Sequence, residues 1–192
     1  AVRAAVKMQE RLGLLNAELL SENKLPINVG IGINSGACVV GNMGSAQRFD
    51  YSCLGDAVNL ASRLEGQTKD YGVTLIVGES VVNNAKNIFD FIELDVIAVK
   101  GKTEGVRIYT TAGEKHTENS DDVFKSKSLK HQRFLNFYRA QEWDLAMEVS
   151  GKLQIEWPEL SEFYRLMNER IETLRSESLP SDWDGVYRAT SK

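Results

Sequence analysis

The chain has 192 residues, 42% of them hydrophobic and 26% charged, with only three prolines, which fits one globular domain plus an appendage and excludes long disorder. A formal net charge of −4 argues against a protein held to nucleic acid by bulk charge. No apolar run approaches the roughly 20 residues of a bilayer span, no signal peptide opens the chain, and two cysteines without CxxC spacing (Cys38 and Cys53) point to reduced, buried thiols in a cytoplasmic compartment. The first residue is Ala within a helical pattern, which reads as a piece of a longer protein, such as the cytoplasmic part of a membrane-anchored sensor.

In residues 1–22, Val2, Ala5, Met8, Leu12, Leu15 and Leu19 recur every three or four positions, the spacing of an amphipathic helix. Asn23-Lys24-Leu25-Pro26 ends it, because the residue before a proline avoids the helical region. Residues 27–33 read as a strand in which Val29, Ile31 and Ile33 face one way and Gly30 and Gly32 leave the other face bare for a close neighbour. The Gly30-x-Gly32-x-x-x-Gly36 spacing does not match a dinucleotide fingerprint, and there is no GxxxxGK[ST] phosphate loop. A tight reversal leads to a short strand at 37–40, a loop at 41–45 and an extended piece at 49–54.

The stretch Arg48-Phe-Asp-Tyr-Ser-Cys-Leu-Gly-Asp-Ala-Val-Asn-Leu-Ala-Ser-Arg-Leu64 then turns at Gly55 into a helix, with Asp56 as its N-cap and Gly72 as its left-handed end. Asn59 and Arg63 are four apart and share one helix face, so an amide and a guanidinium stack as a receptor for a phosphorylated ligand. On spacing alone, a solvated asparagine and a surface arginine are the more ordinary reading. Residues 73–77 form a buried strand, 79–84 a short helix and 89–94 an alternating strand, and 98–110 read as a hairpin around Gly101 to Gly105. These elements make an α/β fold, a mostly antiparallel sheet with helices packed on one face.

Four segments taken together resemble the class III nucleotide cyclase catalytic domain, in its later portion. They are Ile31-Gly-Ile-Asn-Ser-Gly36, Val40-Gly-Asn-Met-Gly44, Tyr51-Ser-Cys-Leu-Gly-Asp-Ala-Val-Asn-Leu-Ala-Ser-Arg63-Leu-Glu and Val99-Lys-Gly-Lys102. The resemblance covers roughly residues 1–112, is strongest in Gly-Asp-x-Val-Asn-x-Ala-x-Arg, and is nearest to bacterial adenylate cyclases. It implies a truncated ferredoxin-like cyclase core that converts a nucleoside triphosphate to its 3′,5′-cyclic monophosphate and pyrophosphate. By the same resemblance Arg63 is the transition-state arginine and Asn59 the residue that positions the ribose. Lys100, with Lys102 as the alternative, binds the triphosphate, and Ser52 occupies the base-reading position. Adenylate cyclases of this kind usually carry Asp or Thr there and guanylate cyclases Cys. Ser departs from both, yet its hydroxyl can accept from the exocyclic amine of adenine as Thr would, so ATP is the expected substrate.

The resemblance further implies two divalent ions, Mg or Mn, on aspartates upstream of this chain. Each site forms between two cyclase domains, which makes a homodimer the expectation and the isolated piece inactive. Guanylate cyclase and a degenerate nucleotide-binding or dimerisation module are the alternatives. Residues 113–128 are polar and read as a linker. In 129–192, Phe134, Phe137, Tyr138, Trp143, Ala146, Met147, Val149 and Leu153 fall at helical spacing with a break near Gln141 to Asp144, and Trp157-Pro158 introduces a third helix. The pair resembles one tetratricopeptide-like unit, which alone must pack on the cyclase domain or on a partner chain, with Trp183 and Tyr187 anchoring an extended end. His116 and His131 lie among polar residues and carry no expected role.

Overall fold

The computed structural model describes residues 1–45, 48–98, 105–115, 119–177, 179–180 and 183–187. The chain order is α1 (Val2–Ser21), β1 (Ile31–Ile33), β2 (Val39–Ser45), β3 (Arg48–Leu54), α2 (Asp56–Gly66), β4 (Leu75–Gly78), α3 (Glu79–Ala85), β5 (Phe89–Ile97), β6 (Val106–Glu114), α4 (Asn119–Arg139), α5 (Trp143–Glu156) and α6 (Ser161–Ser176). Four strands form a sheet in the order β1-β4-β6-β5, with β1 parallel to β4 and the other neighbours antiparallel. The strands β2 and β3 form a separate antiparallel ribbon.

Alternation along the strands sends side chains to two cores. Leu75 and Val77 face α1 and α3, where they pack with Val2, Ala5, Val81 and Phe89. Ile76 and Ile108 face the opposite way, into a larger core shared by α2 (Leu60, Leu64) and the C-terminal helices (Phe134, Leu135, Tyr138, Phe163, Met167). Both faces of the sheet are therefore covered, where the sequence suggested one. The tail has an aromatic surface too large to leave wet, and the second sheet face supplies its apolar partner.

Close packing of α2 on β1 depends on the bare strand face. A Cβ on Gly32 would lie 2.2 Å from the Ala61 carbonyl oxygen and 2.3 Å from the Glu65 nitrogen, so nothing larger than glycine fits beneath the helix backbone. The expected strand over 27–33 shrinks to three residues because α1 takes the hydrogen bonds of its first half. Asn16 Oδ1 accepts from the Ile27 amide at 2.8 Å and Asn16 Nδ2 donates to the Ile27 carbonyl at 2.8 Å, while Gln9 Nε2 donates to the Val29 carbonyl at 2.9 Å.

Other expectations are corrected as well. Gly41 to Ser45 is strand and not loop, because β3 pairs with it residue for residue, from Val39 with Leu54 to Ser45 with Arg48. Helix α2 ends at Gly66, and only turns carry the chain to Gly72, whose φ of +60° fits its expected left-handed conformation. Of the polar stretch 113–128, Gly113 and Glu114 end β6 and the residues from Asn119 onward belong to α4. Cys38 and Cys53 are free and exposed, not buried, since they belong to the ribbon and its entry, against which little of the described chain packs. His131 is buried among Phe134, Trp157, Phe163 and Tyr164, against the polar setting its neighbours in sequence suggested. His116 lies outside the described residues.

On β5 the register shifts between Glu93 and Asp95, and the alternation slips there. Ile92 is buried before the shift, Leu94 within it, and Asp95 and Ile97 after it. A bulge re-aims side chains in this way, and here it turns a carboxylate inward.

Candidate active site

Helix α2 presents the residues that the sequence singled out. Gly55 is its N-cap, and the Gly55 carbonyl accepts from the amides of Val58 and Asn59, each at 3.0 Å. Asp56, expected to be the cap, stands one residue inside, where its negative charge favours the helix N-terminus without a side-chain capping bond. Leu60 and Leu64 are buried, which leaves Asn59 and Arg63, each one residue earlier, on the exposed flank one turn apart. Because the helix has only 11 residues, Arg63 falls in its last turn. The positive end of the helix dipole therefore adds nothing at the guanidinium.

The start of α2 is fixed from behind by a small polar cluster. Asn34 Nδ2 donates to the Ala57 carbonyl at 3.1 Å, and the Ser80 hydroxyl donates to Asn34 Oδ1 at 2.9 Å. This ties the end of β1 and the start of α3 to the first turn of α2. Asn34 lies inside the quoted Ile31 to Gly36 motif, but nothing in the sequence marked Ser80 as its partner. Beside the cluster a concavity of ≈ 570 Å³ is lined by Asn34, Ser35, Asp56, Ala57, Glu79 and Ser80 among others. Its two carboxylates make it a poor phosphate site, and Ser52, Asn59 and Arg63 do not line it.

Ser52 is half-buried on β3 opposite Gly41, three residues before Gly55, so the ribbon carrying it runs straight into the helix carrying Asn59. Val39, Tyr51 and Leu54 on the ribbon are 68%, 78% and 59% exposed. A lone two-stranded ribbon is marginal in water, and this one offers apolar side chains to a further surface. Lys100 and Lys102 lie outside the described residues. Among the described residues no group of three or more His, Cys, Asp or Glu side chains could hold a metal ion, so they do not by themselves fit a divalent cation.

Residues 1–113, more than half of the chain, match the family described as Adenylate and Guanylate cyclase catalytic domain. Adenylate cyclase 1 of Rhizobium meliloti (strain 1021) is 34% identical over 123 residues, covering 64% of this chain and 18% of that protein. The adenylate cyclase of Anabaena cylindrica is 43% identical over 116 residues, covering 57% of this chain and 23% of that one. Among solved structures, the adenylyl cyclase CyaB from P. aeruginosa is similar at 27% identity with a TM-score of 0.49, over 59% of this chain and 56% of that one. The chain belongs to the adenylate and guanylate cyclase catalytic-domain family. It spans 18% and 23% of the lengths of the two curated relatives.

Proposed function

We propose that this chain is the later portion of an adenylate cyclase catalytic domain, which converts ATP to 3′,5′-cyclic AMP and pyrophosphate across a homodimer in the cytoplasm. The observation that carries the reading is the exposed pair Asn59 and Arg63, one turn apart on α2 and directly downstream of Ser52. The named relatives are adenylate cyclases, which favours ATP.

In the reaction the ribose 3′-hydroxyl attacks the α-phosphorus, and the bond to the pyrophosphate oxygen breaks. Negative charge grows on the phosphoryl oxygens, and Arg63 is placed to meet it with a bidentate fork. Asn59, a turn earlier, orients the ribose so that the hydroxyl lies in line. Ser52 accepts from the adenine amine, and Lys100 binds the triphosphate. Mg or Mn, where bound, would supply Lewis-acid stabilisation of the same developing charge. The apolar ribbon is the surface offered to the second domain.

The test is a competition between ATP and GTP in a chain carrying the whole catalytic domain, with Mg or Mn present. Cyclic AMP is the expected product; cyclic GMP alone, or no cyclic product with either ion, defeats the reading. In the same assay Ser52→Ala should shrink the preference for ATP by about 3–10-fold, the worth of one neutral hydrogen bond. An unchanged ratio removes Ser52 from base reading.

A further inference from the structure

The polar cluster behind α2 fixes more than the position of that helix's first turn. The Ala57 carbonyl can only accept, so the Asn34 amide must turn Nδ2 toward it and Oδ1 toward Ser80. The Ser80 hydroxyl lies 2.9 Å from both Asn34 Oδ1 and the Ser35 carbonyl oxygen, and the Ser35 amide donates to it at 3.3 Å. Gly78, the last residue of β4, leaves room for the amide, since a Cβ there would stand 2.4 Å from Asn34 Oδ1. One end of β4 and the start of α3 thus give the Asn34 side chain a single orientation.

What else seats α2 beside β1 is contact of shape. Gly32 lies beneath Ala61 and Glu65, and a Cβ on Gly36 would lie 2.7 Å from the Ala57 Cβ. Leu60 and Leu64, buried in the core, choose the inward face of the helix. Non-directional packing of this kind sets a face coarsely, whereas a directed bond to one carbonyl sets the rotation of the helix about its axis. Successive residues stand about 100° apart around a helix, so Asn59 and Arg63 lie on the side away from Ala57 and Ala61. A side chain about 6 Å from the axis moves about 1 Å for every 10° of rotation. The bond made at Ala57 is therefore felt across the helix at Asn59 and Arg63.

We infer that Asn34 is a positioning residue for the chemical step, holding α2 at the rotation in which Asn59 and Arg63 meet the ribose and the phosphoryl oxygens. The inference rests on the proposed function. A contact made only in the transition state is lost from kcat and kcat/KM equally, so its misplacement leaves KM where it was. The bond at Ala57 is neutral and worth no more than about tenfold, which bounds the effect. That is well inside the roughly 10²-fold that a 1 Å misplacement can cost.

The experiment uses Asn34→Leu, close to asparagine in shape but without a donor, in a chain carrying the whole catalytic domain. Ser80 retains the Ser35 carbonyl as its acceptor, so the variant should fold. Its kcat per folded chain should fall about tenfold, with KM for ATP within about twofold of wild type. In an Arg63→Ala background the guanidinium to be placed is absent, and the same substitution should cost about threefold or less. An unchanged kcat, a loss confined to KM, or an equal loss in both backgrounds overturns the inference. A wild type that forms no cyclic nucleotide counts against the proposed function instead, and hydrogen exchange then decides the role of Asn34. The amides of Val58 and Asn59, bonded to the Gly55 carbonyl, should exchange about tenfold faster in Asn34→Leu while those of β4 are unchanged. Equal exchange at those two amides overturns the inference. If Asn34→Leu does not fold, Ser80→Ala frees Oδ1, and the same fall in kcat at constant KM should appear at about threefold.

Discussion

Arg63→Ala, in a chain carrying the whole catalytic domain, is expected to lower kcat by about 10²–10³, the scale of one lost transition-state donor. The expectation follows from where the side chain stands. Arg63 is exposed on α2 while Leu60 and Leu64 hold the helix in the core, so the substitution removes a charged fork without opening a cavity. Folding should be little changed, and the loss should fall on turnover at saturating ATP more than on KM. Arg63→Lys keeps the charge but loses the planar fork, so it should recover only part of the rate. Turnover of the alanine variant within a few-fold of wild type would remove Arg63 from the chemistry.

Between pH 6.5 and pH 4 the fold should lose about 3 kcal/mol of stability through one buried imidazole. His131 Nε2 lies 2.6 Å from the Glu93 carbonyl oxygen, which can only accept, so the proton sits on Nε2 and Nδ1 accepts from the Tyr164 hydroxyl at 2.8 Å. Burial pushes the His131 pKa down from 6.5 to about 4, the Glu93 carbonyl and carboxylate oppose the shift, and Arg139 reinforces it. In the unfolded chain the same ring titrates at its ordinary value. Below that value the unfolded state binds a proton that the folded state refuses, so stability is full above pH 6.5 and drains away as pH falls toward 4. Asp95 acts with the opposite sign, because burial raises its carboxyl above the usual range, while Arg170 and Tyr71 pull it down. Urea unfolding of wild type and His131→Gln at pH 7 and pH 4 separates the two, since Asp95 is common to both. The wild type should lose about 3 kcal/mol more than the variant over that interval, and equal losses would show that His131 is not the group responsible.

The helices and most strands were legible because their signals are local. The spacing of Val2 and Ala5 marks α1, and the glycines at 30 and 32 announce a close neighbour that proves to be α2. The Asn59 and Arg63 pair was legible for the same reason, since both sit on one helix. What escaped the sequence depends on distant partners. The Gly41 to Gly44 run has turn composition and becomes strand only because β3 lies beside it. Asp95 looks like a polar residue on an edge strand until the register shift turns it toward Arg170, 75 residues away. The cysteines were misjudged because their apolar neighbours, Val39 and Leu54, are themselves exposed on the ribbon.

The placement of the three tryptophans gives the molecule a built-in optical partition. Trp143, Trp157 and Trp183 all belong to the C-terminal helices and the segment after them, and all three join the core those elements share with the sheet. Indole emission therefore registers whether the tail is seated on the sheet, whereas α2 and the ribbon contain no indole and contribute only the exposed phenol of Tyr51. A denaturation curve followed by that emission measures tail release, and helical circular dichroism measures the whole chain. Coincident curves would mean that the appendage and the half carrying α2 and the ribbon melt as one cooperative unit.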